Sequence, residues 1–274
     1  MELELPICQT CGVQYGAARD DCPICVDERQ YVGWNGQQWT SLAQLADGRR
    51  GLVKSEGAGV IGVGADPPTA IGQRALLVQA PSGNVLFDMI TYLDDDLVAQ
   101  LRALGGVSAI AVSHPHFYGS MVEFAHAFDA PVYIHEADRQ WVARPDDSIV
   151  YWTGDTQQIG DGLTLINAGV HFAGGQMLHW VGGQDGAGAL MSGDIMTVVP
   201  DRRYVSFMYS YPNLIPERPE VIRRAVAMLE PFSFDRVYGA WWGRVVATDG
   251  AAAIRRSADR YLRFALGDGP GPGS

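Results

Sequence analysis

Basic side chains are scarce. Over 274 residues, 20 Lys and Arg stand against 31 Asp and Glu, for a net charge of −11. Polyanion affinity comes largely from Lys and Arg neutralising phosphates, so general nucleic-acid binding is not expected. The short pairs Arg202-Arg203 and Arg223-Arg224 read as solvated surface. Long apolar runs are also missing, and none reaches the length of a bilayer span. Met1 to Pro6 carries Glu2 and Glu4, where a secretory leader needs a basic start and an apolar core. A cytoplasmic chain without membrane contact is expected. Cysteine is absent after Cys25. In a reducing compartment, four cysteines crowded at one end point to metal ligation rather than disulfides.

What is present suits a folded chain. Hydrophobic residues make up 47% and charged residues 19%, which supports a substantial core and argues against disorder. Three zones precede a tail: a cysteine module (1–32), a connector (33–57) with Trp34, Trp39 and a helix over Ser41 to Ala46, and a main domain (58–266). The Gly/Pro-rich tail, 267–274, is expected to be disordered. In the main domain, strands are predicted at 75–79 and 85–89 around a Ser82-Gly83 turn. Further strands are predicted at 108–113, 131–135, 163–168, 189–192 and 234–239. Helices are predicted after an Asp94 cap, at 120–128, 136–143 and 219–229, and from an Asp249 cap to about residue 266. Strands alternating with helices imply covered sheets, α/β or α+β.

Cys8-x-x-Cys11 and Cys22-x-x-Cys25 each aim two thiolates at one point, and two such turns complete a tetrahedral site. Gly12 permits the tight turn and is expected to turn backbone amides toward the sulfur. A four-thiolate tetrahedron suits zinc or iron. Zinc, closing a structural site, is favoured because nothing else in the chain reads as a redox cofactor site. The spacing Cys8-x-x-Cys11-Gly12-x-x-Tyr15 with Cys22-Pro23-x-Cys25 resembles rubredoxin-like and zinc-ribbon knuckles over about 20 residues.

The second centre is His114-Pro115-His116 at the end of a predicted strand. Residues two apart in extended chain point the same way, and Pro115 is expected to keep the backbone extended, so both imidazoles reach one ion. Around this pair stand Asp88 after an earlier strand, His171 in Gly169-Val170-His171-Phe172, and Asp194 after Ser192-Gly193. This order resembles the metallo-β-lactamase superfamily across most of residues 58–265. The resemblance implies an α+β fold, an αββα sandwich with metal held between sheet edges. It also implies that Asp88 is structural, that His114, His116 and His171 hold one ion, and that Asp194 is a bridging carboxylate and fourth ligand. Where the family pattern has further ligands for a second ion, this chain has Tyr118, Gly119 and the stretch Ala240-Trp241-Trp242. A site for one ion is therefore expected, with Tyr118 the candidate acid if its phenol turns inward, or else a space-filling ring. His126, His135 and His179 are read as structural or surface side chains, and Asp155 and Asp161 as turn residues.

The leading expectation is a metal-dependent hydrolase. It would use a metal-bound hydroxide on a small ester, thioester, lactone or phosphoester, with zinc, or iron, in the histidine site. The alternative is a non-catalytic binding protein with a vestigial site. An iron-based redox protein and an RNA-processing enzyme fit less well: the first needs the missing second-site ligands, and the second conflicts with the acidic balance. The aromatic stretch Tyr204–Tyr211 could receive an anionic, partly apolar substrate or form a homo-oligomer interface.

Overall fold

Residues 1–269 are described by a computed structural model. Two sheets face each other. The first is a seven-stranded sheet in sequence order: β1 (Arg50–Gly57), β2 (Val60–Asp66), β3 (Ala75–Ala80), β4 (Gly83–Phe87), β5 (Ala109–Ala111), β6 (Val132–His135) and β7 (Ile149–Trp152). Pairing is antiparallel through β4 and parallel from there to β7. The second sheet holds β8 (Thr156–Gly160), β9 (Leu163–Asn167), β10 (Gln176–Trp180), β11 (Ala189–Gly193), β12 (Arg236–Gly239) and β13 (Val245–Val246), also in order. There the switch to parallel pairing falls between β11 and β12.

Period-two alternation builds the layers. Leu76, Val78, Val85, Phe87, Ala109 and Ala111 from the first sheet share one core with Leu163, Leu165, Leu178, Trp180, Ala189 and Met191 from the second. The intervening residues Leu77, Leu86 and Ile110 face outward, into a core with α1 (Asp95–Ala103) and α2 (Met121–Phe128). On the far side, Ile166, Met177, Leu190 and Val237 join α3 (Pro219–Leu229) and α4 (Gly250–Ala265). The expected αββα sandwich is what forms. No helix among the described residues is long and apolar enough to cross a membrane.

Local physics explains agreements and differences. Asp94 caps α1 as expected, its carboxylate accepting from the Leu97 amide at 2.7 Å. Asp249 does not cap α4 with its side chain. Instead its N–H donates to Asp235 at 2.7 Å, so the residue just before β12 fixes the start of the helix. The first sheet begins at residue 50, inside the expected connector, because Arg50–Gly57 pairs along its length with β2. Ala58 and Gly59 both take positive φ, the geometry of a two-residue hairpin turn. Ile7–Cys8 pairs with Trp39–Thr40, so the cysteine module extends past residue 32. The supposed tail starts in order: Gly267, at φ 86°, and Asp268 return N–H bonds to Phe264 and Arg263. Residues 270–274 of that tail lie outside the described residues.

The cysteine module shares the outer core of the first sheet, contributing Ile7, Val13, Tyr15 and Ile24. A buried ion pair bolts it down. Glu123 on α2, fully buried, accepts from Arg144 at 2.5 Å, and Arg144 also reaches Gln14 at 2.6 Å and Glu2 at 3.1 Å. Removing one member of such a pair leaves a charge stranded out of water. Glu123→Gln is expected to lower unfolding free energy by about 3 kcal/mol in urea titrations and to expose residues near Glu2 to proteolysis. A change under about 1 kcal/mol, the size of a surface pair, would mean the pair does not anchor the module.

Candidate metal centres

The four sulfurs lie within 4.8 Å of one another. Cys8 and Cys25 are 3.6 Å apart, and Cys11 and Cys22 are 3.7 Å apart. Sulfurs about 2.3 Å from a tetrahedral centre stand roughly 3.8 Å from each other, whereas bonded sulfurs would be about 2 Å apart. The donor set therefore fits a four-thiolate ion. All four thiols are buried, so they cannot ionise together without a cation: hydrogen bonds led by Cys11 push Cys8 down, while burial pushes Cys11 up. The Tyr15 hydroxyl sits 3.0 Å from Cys22 Sγ, and Gln37 donates to Cys8 Sγ at 3.3 Å. Gly12 serves differently than expected: its N–H bonds to the Cys8 carbonyl, not to a sulfur. Its φ is +79°, and a Cβ there would lie 2.1 Å from Thr91 Oγ1, so glycine is what lets the module close onto the main domain.

The second centre forms where both sheets end. His114 follows β5 in extended conformation, but Pro115–Phe117 is a 3₁₀ turn, so the expected straight His-x-His is not seen. The turn, rather than strand alternation, brings His116 round beside His114. His171 arrives from the loop after β9, with a left-handed backbone at φ 68°. Such strain persists only where the surroundings over-determine it. Here Glu217 accepts the His171 N–H at 3.0 Å, Asp138 accepts the Gly174 N–H at 2.8 Å, and Asn167 accepts the Gly169 N–H at 3.1 Å.

The three imidazoles offer nitrogens within 4.8 Å of one another. His116 Nδ1 and His171 Nε2 are 3.1 Å apart, and His114 Nε2 is 3.4 Å from Asp194 Oδ1. Donors about 2.0–2.1 Å from a tetrahedral zinc stand roughly 3.3 Å apart. His114 Nε2 and Asp194 Oδ1 are buried without hydrogen-bond partners, a costly arrangement unless a cation lies between such atoms. The rings are oriented from behind: the Tyr209 carbonyl accepts from His171 Nδ1 at 2.7 Å, and Ser113 Oγ meets His114 Nδ1 at 2.8 Å. Asp88 plays the structural part, holding the Ser113 N–H at 2.8 Å. Gly193 makes that approach feasible, since a Cβ there would fall 2.8 Å from Asp88 Oδ2. The residues present thus fit one divalent ion, with Asp194 flanking the trio on the His114 side.

Burial sets the protonation. It drives His114 and His116 well below the usual imidazole range and His171 to about 4, leaving neutral rings with free lone pairs. Burial likewise pushes Asp88 to about 7 and Asp194 well above the carboxylate range, with Asp88 adding to the latter.

Tyr118, His126, His135 and His179 stand apart from this centre, the last three as expected, while the stretch Tyr204–Tyr211 reaches it. Tyr118 is buried in the core under the cysteine module, its hydroxyl 3.5 Å from the Asp138 carbonyl, so its phenol does not turn inward. His126 pairs at the surface with Asp146, His135 packs on Trp152, and His179 Nε2 donates to the Ser233 carbonyl at 2.8 Å. Trp241 stacks edge-on against Phe117, and Trp242 covers Gly62 and Gly64 of β2. The stretch Tyr204–Tyr211 folds back onto its own chain: Tyr211 packs 5.5 Å from the His171 ring. Ser113, Tyr209, Glu217 and Arg29 were missed. They lie as many as 142 residues from their partners in sequence, and only Ser113, adjoining His114, carried a local signal.

No protein-family model matches the chain. The uncharacterized protein YmaE of Bacillus subtilis strain 168 is 45% identical over 262 residues, covering 94% of this chain and 95% of its own. The chain belongs to the family of that protein. Among solved structures, VMB-1 covers 79% of this chain and 98% of its own at 14% identity, with a TM-score of 0.58. A B3 metallo-β-lactamase with an active-site glutamic acid covers 78% and 89% at 15% identity and TM-score 0.53. A Cronobacter sakazakii metallo-β-lactamase with a HARLDQ motif covers 77% and 90% at 18% identity and TM-score 0.50. The fold is that of the metallo-β-lactamases.

Two expectations follow. In metal-free protein, imidazole ¹⁵N shifts should show His171 as the neutral Nδ1–H tautomer, with a midpoint near 4; a midpoint near 6.5 would mean a solvated ring. Between those values the unfolded chain binds a proton that folded His171 does not, so this ring lowers stability as pH falls. Asp88 acts oppositely, since the folded state takes its proton near 7 and the unfolded chain only near 3.8. The second expectation concerns Gly119, at φ +47°, where a Cβ would lie 2.5 Å from the Ile90 carbonyl oxygen. Gly119→His should therefore lower stability by roughly 3 kcal/mol without adding an ion, as read by denaturation and elemental analysis. A stable variant with an extra ion would contradict this.

Proposed function

We propose that the protein is a hydrolase with one catalytic ion, zinc being the best fit, acting on a small ester, thioester, lactone or phosphoester. The observation that carries this reading is the convergence of three buried, neutral imidazoles, their nitrogens within 4.8 Å of one another, with the unpartnered Asp194 carboxylate oxygen beside His114. His114 Nε2, His116 Nδ1 and His171 Nε2 would hold the ion, which supplies a Lewis acid and an activated water. Ser113 and the Tyr209 carbonyl keep the rings in register. Asp194 Oδ1, beside His114 Nε2, would exchange a proton at the ion, the part expected of Tyr118 from the sequence, where Asp194 was expected as a ligand. Phe117, Phe172 and Tyr211 exclude bulk water, which strengthens every charge interaction inside.

A cavity of about 610 Å³ adjoins His171 and Phe172 and is lined also by Arg29, Tyr209, Glu217 and Arg218. Its size suits a small substrate. One observation supports a non-catalytic binding protein instead: the histidines are only 1–2% exposed, so the trio is sealed.

Elemental analysis should find two ions per chain, and one in the His114→Ala/His116→Ala variant. Hydrolysis across an ester panel should vanish in His116→Ala. A single ion that is lost in Cys8→Ser would favour the binding protein, and hydrolysis that survives His116→Ala would overturn the assignment of catalysis to this centre.

A further inference from the structure

The segment that leaves the cysteine cluster runs directly over the histidine centre. Cys25 ends one knuckle, and Asp27–Gln30 follows. Asp27 grips Arg29 through both oxygens, at 2.6 Å to Nε and 2.9 Å to Nη2. The guanidinium lies 4.0 Å above the Phe172 ring, with Trp141 at 5.2 Å and Tyr209 at 5.4 Å. Its Nη1 reaches the His171 carbonyl at 3.4 Å. The backbone of the same segment is clamped by the stretch that orients His171. Ser210 Oγ donates to the Arg29 carbonyl at 3.1 Å, and Asn213 Nδ2 donates to the Glu28 and Gln30 carbonyls at 2.9 and 3.0 Å. Tyr209, whose carbonyl accepts from His171 Nδ1, donates its hydroxyl to Glu28 at 2.6 Å.

We propose that Arg29 is a positioning residue for the histidine centre: it holds the strained His171 turn in ligand geometry and makes the centre's metal affinity depend on an intact cysteine cluster. The inference rests on the reading that the three histidines bind a divalent ion. The sign of its effect separates positioning from simple electrostatics. A fixed guanidinium repels a nearby dication, so its removal would tighten binding if charge were its whole influence. If it positions His171, its removal loosens binding instead. Partners that orient metal ligands are worth about 10–100-fold in affinity.

The test uses the full chain loaded with Co²⁺. Thiolate-to-cobalt charge transfer reports the cysteine cluster, and chelator competition reports affinity at the histidines. Wild type should take up two Co²⁺ per chain; failure to bind a second ion would overturn the histidine-site reading itself, separately from the role of Arg29. Arg29→Ala should weaken the histidine centre about tenfold or more while the thiolate band is unchanged. Arg29→Lys should recover only part of this, since an ammonium cannot reproduce the planar stack and fork. Cys25→Ser, which frees the near end of the segment, should weaken the centre at least as much. Unchanged or tighter binding in Arg29→Ala overturns the proposal, as does wild-type histidine affinity in Cys25→Ser after the thiolate band is lost.

Discussion

Three imidazole nitrogens with free lone pairs, facing each other out of water, set the terms for the rest of this molecule. Buried polar atoms without partners are expensive, and here several share one small volume. Neutral rings avoid the larger penalty of buried charge; His116 Nδ1 and His171 Nε2 face each other at 3.1 Å, and His114 Nε2 is left without a partner. The surrounding construction keeps them from relaxing into other hydrogen bonds. Asp88 fixes Ser113, Ser113 meets His114, Glu217 grips the His171 backbone, and the Tyr209 carbonyl takes the far nitrogen of that ring. The sandwich matters chiefly because it brings the ends of β5, β9 and β11 to one place.

The positions where the family resemblance puts a second ion's ligands are closed by backbone as well as side chains. At Gly119 the Ile90 carbonyl stands where any Cβ would go. At the end of β12, the carbonyls of Gly239 and Ala240 accept from Arg74, which is fully buried and paired with Glu56 at 2.7 Å. Trp241 and Trp242 turn away to stack on Phe117 and on the bare backbone of β2. A side chain swapped at one of these points would meet packing built around its absence, because close-packed interiors do not yield space locally.

Legibility in the sequence followed the range of each interaction. The cysteine pairs, the Asp94 cap and the central strands depend on neighbours a few residues away, and each was readable. The motif order Asp88, His114, His116, His171, Asp194 carried the fold through resemblance. The hairpin of β1 and β2 was not readable: Ala58-Gly59 lacks the usual Asn-Gly, and no residue of β1 is buried, so its apolar alternation is weak. The 3₁₀ turn at Pro115 was misread because proline suits extended chain and a helical first turn equally. Tyr118 was left between an acid and a space-filling ring because sequence position says nothing of which way a ring points; it packs in the core. Arg29 and Glu217 act on His171 from 142 and 46 residues away, beyond any local pattern.

Sealing and access pull in opposite directions at this centre. A dry shell of Phe117, Phe172 and Tyr211 strengthens the field an ion would exert, yet any ligand larger than water must displace part of it. The candidates for movement differ in what holds them. Phe117 is fully buried in the outer core of the first sheet, and Tyr211 donates to the Asp194 carbonyl at 2.6 Å, so moving either disturbs the ligand frame. Phe172 borders the cavity beside His171, and its outer face is covered by a guanidinium rather than by apolar core. Of the three rings, Phe172 alone borders the cavity, and a largely desolvated cation–π contact there is worth about 2 kcal/mol. The part of the shell next to the cavity is thus the part tied to the cysteine cluster, so the segment leaving the cysteines bears directly on access to the histidines.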